Sequence, residues 1–333
     1  MARSRIVAVG RQRSLYLFAP IVETLRKLGH NVVFHEDSAS FHAASGGLSN
    51  TDILVAASSF ECSRELMMSA DRLRGIVSPT TGTERFDLAA ASELGILVAN
   101  GQTRENVESM AEATILLILA ALYDLRGAAA VLRENWPRPT ETTARMLGGK
   151  TVGMIGFGRI AQTVAARLAG WGVAIQVHTR RPSASFGDVN FVELDEMLRG
   201  SDVVCVLATL NSESQGLLNA ERLALLKHGA VLINTARGAI IDEAALVELA
   251  ERRPDLRLAL DTFVTEPLPL DSPLRDLPNA ILTPHMIGHT SEAQAALPAA
   301  CVDTVQQLLT GQAPRYVCNP DVIPRWQARW NVS

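Results

Sequence analysis

The chain is poor in cysteine and in aromatic residues, and neither sign of charge dominates it. Its 333 residues include four cysteines, Cys62, Cys205, Cys301 and Cys318, far apart and with no Cys-x-x-Cys or Cys/His ligand spacing. A metal or disulfide framework is not expected from that pattern. Aromatic residues make up 5%, which leaves few platforms for stacking single-stranded nucleic acid. Lysine and arginine number 31 against 35 aspartates and glutamates, a formal charge of −4. Nothing in that balance points to nucleic acid or to an anionic membrane surface. No apolar run approaches the roughly 20 residues that span a bilayer. The longest, Ala113 to Tyr123, lies between Glu112 and Asp124 and reads as a helix buried on all sides. The opening MARSRIVAVG lacks a signal peptide's apolar stretch and small-residue cleavage site, so a reduced, cytoplasmic compartment is expected. Internal repeats and low-complexity segments are also missing.

What is present is the balance of a soluble globular protein: 47% hydrophobic and 20% charged residues. At roughly 150 residues per domain, the length predicts two domains. Short β-rich runs alternate with helical patterns. Arg5–Val9 is the first, followed by a helix near Pro20–Leu28 that stops at Gly29, then Asn31–Phe34, Asp52–Ala56 and Leu73–Val77. A second series begins at Lys150 with KTVGMIGFG, VAIQVHT, DVVCVLA, AVLINTA, LRLALDTF and AILTPH. Strands separated by helix-length segments predict βαβ units and parallel sheets, an α/β protein of two doubly wound domains. The first covers about residues 1–100 and the second about 101–289, with Trp136–Thr143 as a loop inside the second. The tail, 290–333, shows one amphipathic helix with Ala295, Ala296, Ala299, Ala300, Val302 and Val305 apolar. Too short for a domain, it is expected to pack back on the first.

The clearest local signal is Thr151-Val-Gly-Met-Ile-Gly156-Phe-Gly158-Arg-Ile-Ala161, a strand running into Gly-x-Gly-x-x-Ala and then a helix. Gly156 permits the tight turn, Gly158 lets a pyrophosphate approach the backbone, and small Ala161 allows close helix–strand packing. The helix N-terminus offers N–H groups and the positive end of its dipole to the phosphates. The pattern predicts a bound dinucleotide, NAD or NADP. An acid about 20 residues beyond the glycines would bind the ribose 2′-hydroxyl of NAD. Thr179 stands at that place, and Arg180 and Arg181 follow. With no carboxylate there and two guanidiniums available, the sequence leans towards NADP.

Three polar residues each follow an apolar strand of the second series: Arg237 after AVLINTA, Glu266 after LALDTF, His285 after ILTP. In a doubly wound sheet the carboxyl ends of the strands border the ligand crevice. An arginine there can grip a carboxylate, a histidine can pass a proton to an adjacent oxygen, and an acid can orient the imidazole. The trio suits redox chemistry on a carbonyl.

At these residues the chain resembles the D-isomer-specific 2-hydroxyacid dehydrogenases, the family of phosphoglycerate, glyoxylate/hydroxypyruvate and D-lactate dehydrogenases. The matching blocks are TVGMIGFGRIA, VLINTARGAIIDEAAL, ALDTFVTEPLP and NAILTPHMIGHTSEA. A weaker likeness includes SPTTGTERFDLAAASELGILVAN and VCNPDV. The resemblance implies a Rossmann domain inserted into a substrate-binding domain, and hydride transfer between NAD(P)H and C2 of a small 2-oxo acid or D-2-hydroxy acid. It makes Arg237 the grip on the substrate, Glu266 the partner of His285, and His285 the proton donor and acceptor. It places Asp261 at the nicotinamide carboxamide and Arg159 and Ile160 at the pyrophosphate. Ala208, Thr209, Ser214, Thr235, Ala236, His285 and Gly288 match further cofactor-lining positions. Thr81 and Gly82 would offer N–H groups to the substrate carboxylate, with Asn106 near the site. The resemblance also implies a homodimer built through the cofactor domain.

Some positions depart from the family pattern. Thr209 replaces a proline, Leu207 a frequent histidine, and a glycine-rich loop reads Thr80-Thr81-Gly82-Thr83-Glu84-Arg85-Phe86-Asp87. Ala57-Ser58-Ser59 lacks the arginine of phosphoglycerate-type enzymes, so a phosphorylated substrate is disfavoured unless Arg11 or Arg13 supplies the charge. Relatives that act as dinucleotide-binding co-repressors offer a non-catalytic alternative. A formate-dehydrogenase-like activity would call for glutamine in place of Glu266. The other features carry bland readings: Ser109-x-x-Glu112 fits a helix-capping box, Cys205 is an inert core thiol, and His289 is a hinge residue.

Overall fold

Short runs of Val, Ile, Leu and Ala with no polar face suit strands covered on both sides. In the computed structural model, which describes residues 4–11, 14–182 and 185–330, they do so in two sheets. The chain divides into two compact units, residues up to Asn106 together with those from Ser291 on, and Val107–Thr290.

The first unit contains β1 (Arg5–Val9), β2 (Asn31–His35), β3 (Ile53–Ala56), β4 (Gly75–Ser78) and β5 (Leu97–Asn100). They pair in parallel in the order β2-β1-β3-β4-β5. Ile6, Ala8, Ile53 and Val55 feed one core, and Val7, Val9, Leu54 and Ala56 feed the other. The two-residue period thus supplies a core on each face. Helix Leu15–Lys27 begins earlier than the predicted Pro20 and carries that proline in its interior.

The tail belongs to this unit. Helix Ser291–Leu309 buries Ala293, Leu297, Cys301, Val305 and Leu308, a stripe at helical spacing. Ala295 and Ala299, expected on the apolar face, are exposed instead. The larger side chains decide the buried face because each removes more apolar area from water. A further helix, Ile323–Trp330, was not expected. Its Trp326 is fully buried and donates its indole N–H to the Arg74 carbonyl at 2.7 Å.

The second unit contains β6 (Thr151–Ile155), β7 (Ala174–His178), β8 (Val189–Phe191), β9 (Val203–Val206), β10 (Val231–Asn234), β11 (Arg257–Leu260) and β12 (Ala280–Leu282). All pair in parallel, in the order β12-β11-β10-β9-β6-β7-β8. The order reverses between β6 and β9, the switch point where this class of sheet opens a crevice at its carboxyl edge. The fold class is thus the expected pair of parallel-sheet α/β domains.

Ala113–Tyr123 departs from expectation. It lies mostly within helix Arg104–Leu122, which buries Ala113, Thr114, Leu117 and Ile118, the last two in the core shared with the sheet. Leu116 and Tyr123 are each 53% exposed, so the run is not buried on all sides. No single helix among the described residues is long and apolar enough to cross a membrane.

Candidate active site

The glycine turn sits at the carboxyl end of β6, beside the switch point. Gly156 has φ +91°, and a Cβ there would stand 2.7 Å from the Ala208 Cα. Only glycine fits both the conformation and the space. Gly158 caps helix Arg159–Leu168, and a Cβ on it would meet nothing within 4 Å. The backbone there is open to an approaching group, and the first turn of a helix directs its N–H groups out of the N-terminus. Ala161 is fully buried against the sheet. A dinucleotide's pyrophosphate fits this cradle in shape and charge.

Three neighbouring strands carry the polar trio. The register aligns Asn234 of β10 with Leu260 of β11, and Leu260 with Leu282 of β12. The residues just beyond therefore leave the sheet side by side. Past β10, Asn234 Oδ1 accepts from the Ala236 N–H at 3.0 Å, and Asn234 Nδ2 donates to the Arg237 carbonyl at 3.0 Å. Arg237 lies immediately before a short 3-10 turn, Gly238–Ile240. Thr235 and Thr114 of the long helix share a hydrogen bond of 3.3 Å.

Past β12, His285 takes a left-handed conformation, φ +53°, uncommon for a residue with a side chain. Buried Asp261, just past β11, holds that turn. Its Oδ1 accepts from Thr283 Oγ1 at 2.7 Å, Met286 N–H at 3.0 Å and Ile287 N–H at 3.2 Å. On the other side of the turn, Ser109 Oγ donates to the Gly288 carbonyl at 2.8 Å, and any Cβ on Gly288 would collide with Met110. Ser109 is therefore a buried brace inside helix Arg104–Leu122 and does not cap it. Thr103 Oγ1, accepting from the Asn106 N–H at 3.0 Å, occupies the capping position.

His285 Nδ1 and Glu266 Oε2 are 2.7 Å apart. Burial opposes ionisation of Glu266, but hydrogen bonds from His285 and the Phe263 N–H, with the charges of His285 and Arg237, outweigh it and hold the carboxyl below its usual range. An ionised carboxylate only accepts, so the imidazole N–H in this bond is on Nδ1. Nε2 is left as the atom that can exchange a proton elsewhere. The Arg237 charge therefore bears on Glu266. Desolvation and the neighbouring His285 lower the pKa of His289, with Asp261 pulling the other way. Cys205 lies fully buried with its thiol pushed up to about 12.

The cofactor-edge residues divide into two groups. Ala208 abuts Gly156, and Ser214 Oγ donates to the Thr209 carbonyl at 2.8 Å. Thr179, Arg180 and Arg181 follow β7, and exposed Arg180 pairs with Glu213. The sequence has no carboxylate of its own at this turn. The fold brings Glu213 to it from a distant loop. In the first unit, Asn100 Nδ2 donates to the Thr81 carbonyl at 2.9 Å, Thr81 Oγ1 lies 3.3 Å from Asn106 Oδ1, and Ser78 Oγ donates to the Gly82 carbonyl at 2.9 Å. Thr81, Gly82 and Asn106 are thereby gathered around the ends of β4 and β5. Ser58 and Ser59 follow β3 with no arginine, and Arg13 lies outside the described residues.

A glycine-turn dinucleotide cradle and a His–carboxylate pair on one parallel sheet edge define a nucleotide-binding class of proteins with acid–base capacity. Residues 115–287 match the family described as D-isomer specific 2-hydroxyacid dehydrogenase, NAD binding domain, and the chain belongs to that family. It is 34% identical over 264 residues to a D-3-phosphoglycerate dehydrogenase of Mycobacterium bovis, covering 78% of this chain and 50% of that one. The chain spans about half the length of such relatives. Against a glyoxylate/hydroxypyruvate reductase B of Pectobacterium carotovorum it is 32% identical over 267 residues, covering 78% of this chain and 83% of the other. An NADPH-dependent glyoxylate/hydroxypyruvate reductase of Sinorhizobium meliloti, solved with NADP and malonate, superposes with TM-score 0.83 at 26% identity, covering 97% and 98% of the two chains.

Proposed function

We propose that the protein is an NAD(P)-dependent oxidoreductase that interconverts a small 2-oxo acid and its D-2-hydroxy acid. The observation that carries this reading is the 2.7 Å contact between His285 Nδ1 and Glu266 on the sheet edge that also bears the Gly156 turn. The cofactor would be held at Gly156, Gly158, Arg159 and Ile160, along Ala208, Thr209, Ser214, Thr235 and Ala236, and at Asp261, His285 and Gly288. When bound, the dinucleotide supplies the hydride exchanged with C2 of the substrate. Arg237 grips the substrate carboxylate through paired hydrogen bonds. Thr81 and Gly82 would offer N–H groups to the substrate carboxylate, and Asn106 is a further substrate-binding residue of the same reading. His285 Nε2 gives a proton to the substrate oxygen in reduction and takes it back in oxidation, while Glu266 fixes the ring and balances its charge.

Several finer points belong to the same reading. Thr179, Arg180 and Arg181 favour NADP over NAD. The Ala57-Ser58-Ser59 segment favours a substrate without phosphate. The exposed apolar series Leu116, Tyr123, Leu125, Leu132, Trp136 and Met146 supports a homodimer through the Val107–Thr290 unit. Helix Leu125–Arg133, which buries none of its residues, lies within that series. The compartment is cytoplasmic.

The test is a panel of glyoxylate, hydroxypyruvate, pyruvate and bulkier 2-oxo acids, assayed with NADPH and with NADH. Oxidation of either cofactor supports the reading, and a higher kcat/KM with NADPH supports the cofactor preference. Tight dinucleotide binding with no turnover on any acid would favour the co-repressor-like alternative.

A further inference from the structure

The turn after β7 has no acid of its own, yet the fold delivers one. Glu213, 33 residues beyond Arg180, pairs with its guanidinium. The loop after β9 is built to hold Glu213 in place. Asn211 Oδ1 accepts from the N–H groups of Glu213 at 2.9 Å and Ser214 at 3.0 Å. Ser214 Oγ closes the loop onto the Thr209 carbonyl. The start of the same loop, Ala208, abuts the glycine turn. One end is thus registered to the cofactor cradle, and the other sets a carboxylate against Arg180. This is the strand end where an acid in such folds meets the adenosine ribose.

We propose that Glu213 is a specificity-determining residue for the cofactor's 2′ position. Its carboxylate stands in on Arg180 for a 2′-phosphate and so restrains the preference that Arg180 and Arg181 would otherwise give. The proposal rests on the reading that the chain binds a nicotinamide dinucleotide. A 2′-phosphate engages Arg180 only by displacing Glu213, and the displaced carboxylate is then a nearby like charge. A 2′-hydroxyl can donate to Glu213 while the ion pair persists. The two side chains are 67% and 64% exposed, so solvent screens the pair and the effect is severalfold in size.

The test measures dissociation constants of NADPH and NADH by the fluorescence of the bound nicotinamide, without substrate. It compares the wild-type chain with Glu213→Gln and Arg180→Gln. Glu213→Gln should tighten NADPH about two- to fivefold and leave NADH within about twofold. Arg180→Gln should weaken NADPH selectively, and added salt should shrink both effects. A Glu213→Gln protein in which both constants move together, or neither moves, would overturn the proposal. A wild-type chain that binds neither dinucleotide would overturn the underlying reading as well. Both substitutions are on exposed side chains, so loss of fold does not confuse the outcome.

Discussion

At the residue scale, each member of the polar pair has one atom committed to the other and one directed elsewhere. His285 spends Nδ1 on Glu266, and Glu266 spends its second oxygen on the Phe263 N–H. Replacing His285 with alanine removes the proton carrier but neither the cradle nor the arginine. We expect kcat to fall about 10²- to 10⁴-fold with dinucleotide affinity little changed, as steady-state kinetics beside cofactor titration would show. The lowered pKa of Glu266 gives a pH prediction with a definite sign. A carboxyl whose folded pKa lies below its ordinary value of 4.5 stabilises the fold above that value. The contribution is lost as pH falls through the folded value. Urea unfolding of wild type and Glu266→Gln should thus show a constant stability difference near neutrality that closes in acid. A difference that persists unchanged into acid would contradict the assignment of charge.

At the scale of elements, the left-handed turn at His285 is held from two directions, by Asp261 beyond β11 and by Ser109 on the long helix. Ser109→Ala leaves the buried Gly288 carbonyl without that donor. We expect a loss of about 1–3 kcal/mol in urea unfolding, together with a lower kcat. Much of this architecture was legible in the sequence. Most strands were, because runs such as Val231–Ile233 are apolar on both faces, short and bounded by turn signals, although β5 was not read as one. The strand-end placement of Arg237, Glu266 and His285 followed from the same runs. Where local signals compete, legibility ended. Ser109-x-x-Glu112 imitates a cap, while the actual capping bond is made by Thr103, a turn and a half earlier. Alanine-rich positions in Ser291–Leu309 hid the face set by Leu297, Cys301, Val305 and Leu308. Strand β8 has only three residues, none of them fully buried, and offered no apolar run to read. The pairing of Glu213 with Arg180 depends on loop geometry that no spacing rule encodes.

At the scale of the whole molecule, six large apolar side chains between Leu116 and Met146 are exposed, the kind of surface that marks an association site where it is contiguous. Leu132, 86% exposed on a helix with no buried residues, is its clearest member. Leu132→Asp should shift a dimer towards monomer in sedimentation velocity while the far-ultraviolet circular dichroism stays the same. A wild-type chain that sediments as a monomer at every concentration would contradict the proposed dimer. The central claim is that hydride passes between a bound nicotinamide and C2 of a 2-oxo acid, with His285 handling the proton. It is tested most directly by supplying reduced cofactor with both C4 hydrogens replaced by deuterium, together with a 2-oxo acid, and examining the product by NMR. The account predicts a D-2-hydroxy acid with deuterium at C2, formed by the wild type and nearly abolished in His285→Ala. A 2-hydroxy acid carrying protium at C2, or an L-configured product, would contradict it.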